Sequence, residues 1–87
     1  MPRVFIPSLA RDLTGGVADV QLAGVTVREV VAELEARFPG IRERLCRGDS
    51  LTPGIQVSVD DTLTKAGLNA KLKPASEVHF LPAIGGG

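Results

Sequence analysis

The chain has 87 residues, enough for one small domain with a modest core and too few for an enclosed active site of its own. Ten basic and ten acidic side chains cancel, and the only aromatic residues are Phe5, Phe38 and Phe80, so neither nucleic acid nor an anionic membrane surface is an expected partner. A single cysteine, Cys46, allows no internal disulfide and no cysteine-based metal cluster, and no apolar run approaches the ~20 residues of a membrane span. With no basic and apolar leader at the start of the sequence, the expected location is cytoplasmic.

Arg3 to Pro7 reads as a short strand, with Val4 and Ile6 on one face and Phe5 on the other. Thr14-Gly15-Gly16 is a turn, and Ala18, Val20 and Leu22 then alternate with polar residues as a second strand. The loop between the two is long for a hairpin. The helix that follows is the clearest element. Val27, Val30, Val31, Leu34 and Phe38 fall at i, i+3, i+4, i+7 and i+11, which is one helical face. Thr26 as N-cap and Glu29 at N3 make a capping box, and Val25 with Val30 is positioned as a hydrophobic staple. Glu33 and Arg37 form an expected i,i+4 pair. Phe38-Pro39-Gly40 stops the helix.

Ile41 to Leu45 reads as a further helical turn with its two apolar ends inward, and Gly48 to Gly54 as loop. Ile55, Val57 and Val59 alternate with Gln56 and Ser58 as a clean strand, closed by the polar turn Asp60-Asp61-Thr62. Leu63, Leu68 and Leu72 belong to an irregular stretch with room for a short strand, and Lys73 to Ser76 turns again. Glu77 to Leu81 is the last strand, with Val78 and Phe80 on one face and His79 and Leu81 on the other. Pro82 lacks an amide proton and is expected to end pairing there. The pattern strand, strand, helix, strand, irregular segment, strand predicts an α+β roll of the β-grasp type, one helix covering one face of a small mixed sheet. The domain is expected over residues 1–82. Residues 83–87 form an expected flexible tail that spans about 16 Å at ~3.3 Å per residue.

That tail ends in Gly85-Gly86-Gly87. Glycines carry no side-chain chemistry, so the reactive group there is the α-carboxylate of Gly87. Without Cβ atoms such a tail threads a slot too narrow for other residues, which suits activation of the carboxylate inside another enzyme. The plain alternative is a frayed terminus.

The element order, ending in Phe80-Leu81-Pro82-Ala83-Ile84-Gly85-Gly86-Gly87, resembles the ubiquitin-like sulfur carrier proteins. These include the small subunit of molybdopterin synthase, the thiamine-thiazole carrier and the carrier that feeds a cysteine synthase. The resemblance covers nearly the whole chain. It includes the helix Thr26-Val27-Arg28-Glu29-Val30 and its exit Glu35 to Leu45. Ile6-Pro7-Ser8-Leu9, Arg11 and Thr14-Gly15-Gly16 are most similar to the cysteine-synthase carriers. Two features depart from the family: Asp60-Asp61 where Asn is frequent, and a glycine triplet in place of a pair. The resemblance implies a β-grasp fold and a chain that is a protein substrate and group carrier without a catalytic side chain or bound cofactor. A ubiquitin-activator-like enzyme would consume ATP to adenylate Gly87, and a sulfur donor would replace AMP to leave a thiocarboxylate. A cysteine synthase, a molybdopterin synthase large subunit or a thiazole synthase would accept the sulfur, with cysteine slightly favoured. Gly86 and Gly85 would be recognised in the activating slot.

Leu81, Ile84 and Phe5, apolar residues near the tail, are the candidate docking residues for these partners. Phe5 and Leu81 have an equal claim to a second small core. His79 reads as a surface strand residue with no second histidine to share a metal. Cys46 reads as a partly buried small hydrophobe, Asp60-Asp61 as a turn and not a calcium loop, and Gly15-Gly16 as an internal turn. Two other functions remain open in the sequence: a ubiquitin-like modifier joined through Gly87 to target lysines, and a passive binding module with an inert tail.

Overall fold

The computed structural model describes residues 1–82. Its main sheet has five strands in the order β2-β1-β7-β5-β6, where β1 is Arg3–Phe5, β2 Asp19–Gln21, β5 Ile55–Val59, β6 Thr62–Thr64 and β7 Glu77–Pro82. β1 and β7 run parallel at the centre, and every other neighbour is antiparallel. Helix α1, Val27–Arg37, lies across one face, followed by the short α2, Ile41–Leu45. A small separate hairpin joins β3, Cys46–Arg47, to β4, Ser50–Leu51. This mixed sheet with one main helix is a β-grasp.

The predicted apolar face of α1 forms the core. Val27, Val30, Val31 and Leu34 are buried against Val4, Val57, Val78 and Phe80. Of the two alternatives for β1, Val4 and Ile6 point inward. Val57 and Phe80 are buried as expected, whereas Ile55 and Val59 are half-buried, because they stand at the two ends of β5 where the helix gives less cover. Leu22, Ile41, Leu45, Leu68 and Leu72 complete the core from the connecting segments.

The start of α1 shows how local sequence sets the geometry. The Glu29 amide donates to Thr26 Oγ1 at 3.2 Å, as a capping box requires. The reciprocal bond lands one residue earlier than expected: the Val25 amide donates to Glu29 Oε1 at 2.9 Å. The staple does not close, since Val25 is 62% exposed while Val30 is fully buried. The cause is backbone pairing. The Leu72 amide donates to the Val25 carbonyl and Thr26 bridges Lys71, which fixes the entry path and turns the Val25 side chain outward. Gly24 makes this entry possible, because a Cβ there would lie 2.9 Å from Val30 Cγ1 and 3.2 Å from the Val30 amide nitrogen. Gly24→Ala is therefore expected to destabilise the fold by roughly 1–3 kcal/mol in urea unfolding, the usual cost of overpacking a filled core.

Other expectations shift at the chain's turns. Glu33 and Arg37 are absent from the ion pairs of the described residues, which join Arg3 to Asp19, Arg28 to Asp49 and Arg44 to Asp12. Glu35 is used instead: its carboxylate accepts from the Gly40 and Arg42 amides and tethers the helix exit. Gly40 adopts the left-handed conformation, φ 99°, that lets α1 turn directly into α2. The expected loop from Gly48 to Gly54 contains β4, while the short strand for which the irregular stretch after Asp61 left room is β6.

Asp60 and Asp61 form the two-residue loop of the β5–β6 hairpin, with φ of 52° and 68°, the left-handed pair of a type I′ turn. Asp60 also ties this turn to the start of β7. Its carboxylate accepts from Ser76 Oγ and from the Glu77 amide, both at 2.9 Å, and Ser76 is almost fully buried. These bonds, led by the Glu77 amide, hold the Asp60 carboxyl below its ordinary range. The Gly40 amide does the same for Glu35, and Arg44 for Asp12. A carboxyl with a lowered folded-state pKa stabilises the fold above its unfolded value, and that contribution is lost as pH falls through the folded value. Thermal stability is therefore expected to be level near neutral pH and to drop below about pH 4, the ordinary carboxylate range. In Asp60→Asn the melting temperature should be lower at neutral pH, with the gap to the parent protein narrowing in acid. A constant gap from pH 7 to pH 3 would show that the Asp60 charge plays no part.

Candidate functional site

The candidate reactive group, Gly87, lies outside the described residues, as do Gly86, Gly85 and Ile84. What the structure defines is the root from which they leave. β7 remains paired through its last residue: Pro82 is opposite Ile55, and Leu81 opposite Gln56. Pro82 is itself the last ladder position among the described residues; the expectation that pairing ends there falls on residues outside them. The strand that precedes the tail is held by β1 over residues 77–79 and by β5 through Pro82.

The face of the sheet opposite α1 can be assembled from the register. Phe5 stands opposite His79, His79 opposite Ser58, and Ser58 opposite Leu63, while Asp19 is opposite Phe5 at the other end. These residues form one row across all five strands. The Phe5 and His79 rings stack with centroids 4.1 Å apart and planes 7° from parallel. The Arg3 guanidinium lies 5.1 Å from the centre of the Phe5 ring and is paired with Asp19. Leu81 is 39% exposed and Leu63 58% exposed. Ser58, between His79 and Leu63 in the row, is 6% exposed, covered by its larger cross-strand neighbours. Leu63 also lines the open groove between β5–β6 and the segment from Lys65 to Asn69.

Two of the sequence candidates, Phe5 and Leu81, thus share this outer face. His79 is half-buried in the stack and is more than an isolated surface residue. Leu63 was not among the sequence candidates. Its signal was the Asp60-Asp61 pair: read as a two-residue hairpin turn, it makes Thr62–Thr64 a strand and sets Leu63 opposite Ser58. By contrast, the solvent side of α1 bears Glu29, Glu33 and Arg37, and offers no comparable apolar area.

Other features have structural explanations. Cys46 is buried, and burial pushes its thiol pKa up, away from a nucleophilic thiolate. An open groove of about 620 Å³ runs between β5–β6 and the segment from Lys65 to Asn69, floored by Leu51 and Leu68. Arg28 at its edge is held by Asp49 at 2.7 Å and by Asn69 at 3.1 Å. Among the described residues, no helix is long and apolar enough to cross a membrane.

Comparison with known proteins places this geometry. The ThiS family matches residues 4–87. The sulfur carrier protein CysO of Mycobacterium tuberculosis, like that of Mycobacterium bovis, is 36% identical over 91 aligned positions, covering 97% of this chain and 96% of the relative. A chain of the Amycolatopsis orientalis BexX/CysO complex superimposes with a TM-score of 0.89 at 36% identity over the full length of both chains. The crystal structure of Mycobacterium tuberculosis CysO gives 0.86 at 32% identity, covering 97% of this chain and 100% of that one. The small archaeal modifier protein 1 of Methanosarcina acetivorans, at 23% identity and a TM-score of 0.79 over 99% of this chain and 95% of that one, shares the fold. This ubiquitin-like roll, whose last strand is followed in the sequence by Ala83, Ile84 and three glycines and which is matched along its length to named sulfur carriers, belongs to the ThiS family of ubiquitin-like sulfur carrier proteins.

Proposed function

We propose that this chain carries sulfur as a thiocarboxylate on Gly87 and delivers it in biosynthesis, with cysteine formation the favoured branch. The observation that carries the reading is the family match, which runs through residue 87 and so includes the three glycines. The full-length relatives named as CysO sulfur carriers support the cysteine branch.

The chemistry follows from the weakness of a carboxylate as an electrophile. A partner adenylating enzyme lets a Gly87 carboxylate oxygen attack the α-phosphate of ATP, releasing pyrophosphate. The acyl-adenylate has AMP as a good leaving group. A sulfide-level donor adds to the carbonyl carbon, the C–O bond to AMP breaks, and a C–S bond remains. The thiocarboxylate sulfur is nucleophilic and attacks an electrophilic carbon held by a second enzyme. The chain supplies the carboxylate, the narrow glycine approach and a docking face, much as a cofactor supplies a group to the protein that uses it. Phe5, Leu81 and Ile84 are the proposed docking residues, and the first two lie on the outer sheet face.

Intact-mass spectrometry tests the proposal. Incubated with its adenylating enzyme, ATP and a sulfur source, the protein is expected to gain about 16 Da, one oxygen replaced by sulfur on the group it carries. A mass that stays unchanged, with an enzyme shown active on a related carrier, would overturn the carrier reading. A ladder of covalent adducts on other proteins would replace it with a modifier role.

A further inference from the structure

We propose that in the free protein residues 83–87 fold back into the open groove between β5–β6 and the segment from Lys65 to Asn69. Ile84 sits on the apolar floor of the groove, and the Gly87 carboxylate lies beside Lys65. The chain's own tail is then a latch that a partner must release. The latch itself does not depend on the carrier reading; its effect on activation rests on that reading.

Reach, shape and charge each point to this occupant. Pro82 is opposite Ile55 and Leu81 opposite Gln56, and both Ile55 and Gln56 line the groove. The groove therefore starts one strand away from the place where the tail leaves. Its far side is formed by Thr64 and Lys65, with Thr64 opposite Val57. Two strand spacings of ~4.8 Å across and two residues of ~3.3 Å along put Thr64 about 12 Å from Pro82. The five residues after Pro82 span about 16 Å, enough to cross that distance and bring the last carboxylate to Lys65. The shape follows from the register. Pairing of β5 with β6 stops at Val57 and Thr64, so a gap of about 620 Å³ opens beside Ile55 and Gln56. Leu51 and Ile55 in it are half-buried, and Leu63 at its rim is 58% exposed. Seating Ile84 there removes apolar surface of both partners from water. Gly67 leaves the floor open, since a Cβ there would stand 3.9 Å from Leu51 Cδ1. Two cations line the groove. Arg28 is engaged by Asp49 and Asn69, whereas Lys65 belongs to none of the ion pairs among the described residues. An exposed ion pair contributes little alone, so the carboxylate sets the register and Ile84 supplies most of the hold. Ordering three glycines offsets much of that gain, which keeps the latch weak enough to release.

NMR of the full chain tests the latch directly and needs no enzyme. With ¹³C-labelled methyl groups, Ile84 is expected to show NOE contacts to Leu51 and Leu63. Ile84→Ser should remove those contacts and shift the Leu51 and Leu63 methyl signals. Lys65→Glu, which repels the carboxylate, should move the Gly85, Gly86 and Gly87 amides to random-coil shifts and leave the α1 signals in place. Lys71→Glu, outside the groove, should leave the tail signals unmoved. An Ile84 methyl without a contact to any groove residue, or tail signals unmoved in Lys65→Glu, overturns the latch. Contacts found only between chains, in a mixture of labelled and unlabelled protein, assign the groove to a second copy and also overturn it. The effect on activation is read by ATP–pyrophosphate exchange with the adenylating enzyme at varied carrier concentration. A tail that is free only part of the time raises KM by the reciprocal of the free fraction, so Lys65→Glu should lower KM about threefold with kcat unchanged. A KM that is unchanged or higher overturns the latch as a control on activation. The carrier reading is judged separately, by the gain of about 16 Da in the parent chain.

Discussion

A chain lacking Gly87 is expected to acquire no sulfur at all. The loss should be complete, because among the described residues the two side chains that could carry sulfur, Cys46 and His79, are not placed to do so. Cys46 is buried with a raised thiol pKa, and His79 is engaged with Phe5. A chain ending at Gly86 still bears a carboxylate, but one placed about 3.3 Å short of the position that the proposed activating enzyme would meet. A misplacement of 1 Å can already cost about a hundredfold in rate. Gly86→Val tests the same point while keeping the length: its branched Cβ should not pass a slot shaped for glycine. Both variants should melt with the parent, since neither residue belongs to the core formed by α1, β1, β5 and β7. The readouts are the mass gain in vitro and support of the sulfur-dependent pathway in cells. A truncated chain that still supports that pathway would place the chemistry elsewhere.

The largest expected effect on stability comes from Leu34→Ala. Leu34 is fully buried at the middle of the helix face that covers the sheet. Removing three carbons there loses transfer free energy and leaves a cavity between helix and strands that cannot fully collapse. The expected cost is about 2–5 kcal/mol. A domain of this size has total stability of about 5–15 kcal/mol, so the variant should unfold far earlier in urea. The midpoint should fall while the slope stays near the parent value, because the exposed surface on unfolding is unchanged. A cost under about half a kcal/mol would be the behaviour of a surface position and would contradict the packing described.

The contrast between these residues shows what was legible in the chain. Leu34 could be placed from spacing alone, because a helix in water has one apolar stripe and that stripe must face the sheet. Val57 and Phe80 were placed by strict alternation, and they pair with each other across β5 and β7. Leu63 could not be placed in this way. Its strand has three residues, too few to show a period, and the residues around it are polar on both sides. Asp-Asp is also a weaker turn signal than Asn-Gly, although the backbone adopts the same left-handed pair. The Phe5–His79 stack was hidden for a different reason. It depends on the parallel register of β1 with β7, two segments more than 70 residues apart, and nothing local to either encodes it. Side-chain pairs at short range fared unevenly. Thr26 caps as written, while Glu29 bonds one residue upstream of its expected partner because Val25 is held by Leu72.

The central position of β7 has a consequence for how the molecule comes into being. During synthesis β1, β2, α1 and β5 leave the ribosome before the strand that must be inserted between β1 and β5. Until residues 77–82 emerge, the two halves of the sheet share no ladder, and the apolar face of α1 has only part of its floor. Pairing the first strand with the last closes nearly the whole chain into a loop, a slow kind of contact to form. A prematurely terminated chain lacks both the keystone strand and Gly87, the proposed bearer of the sulfur.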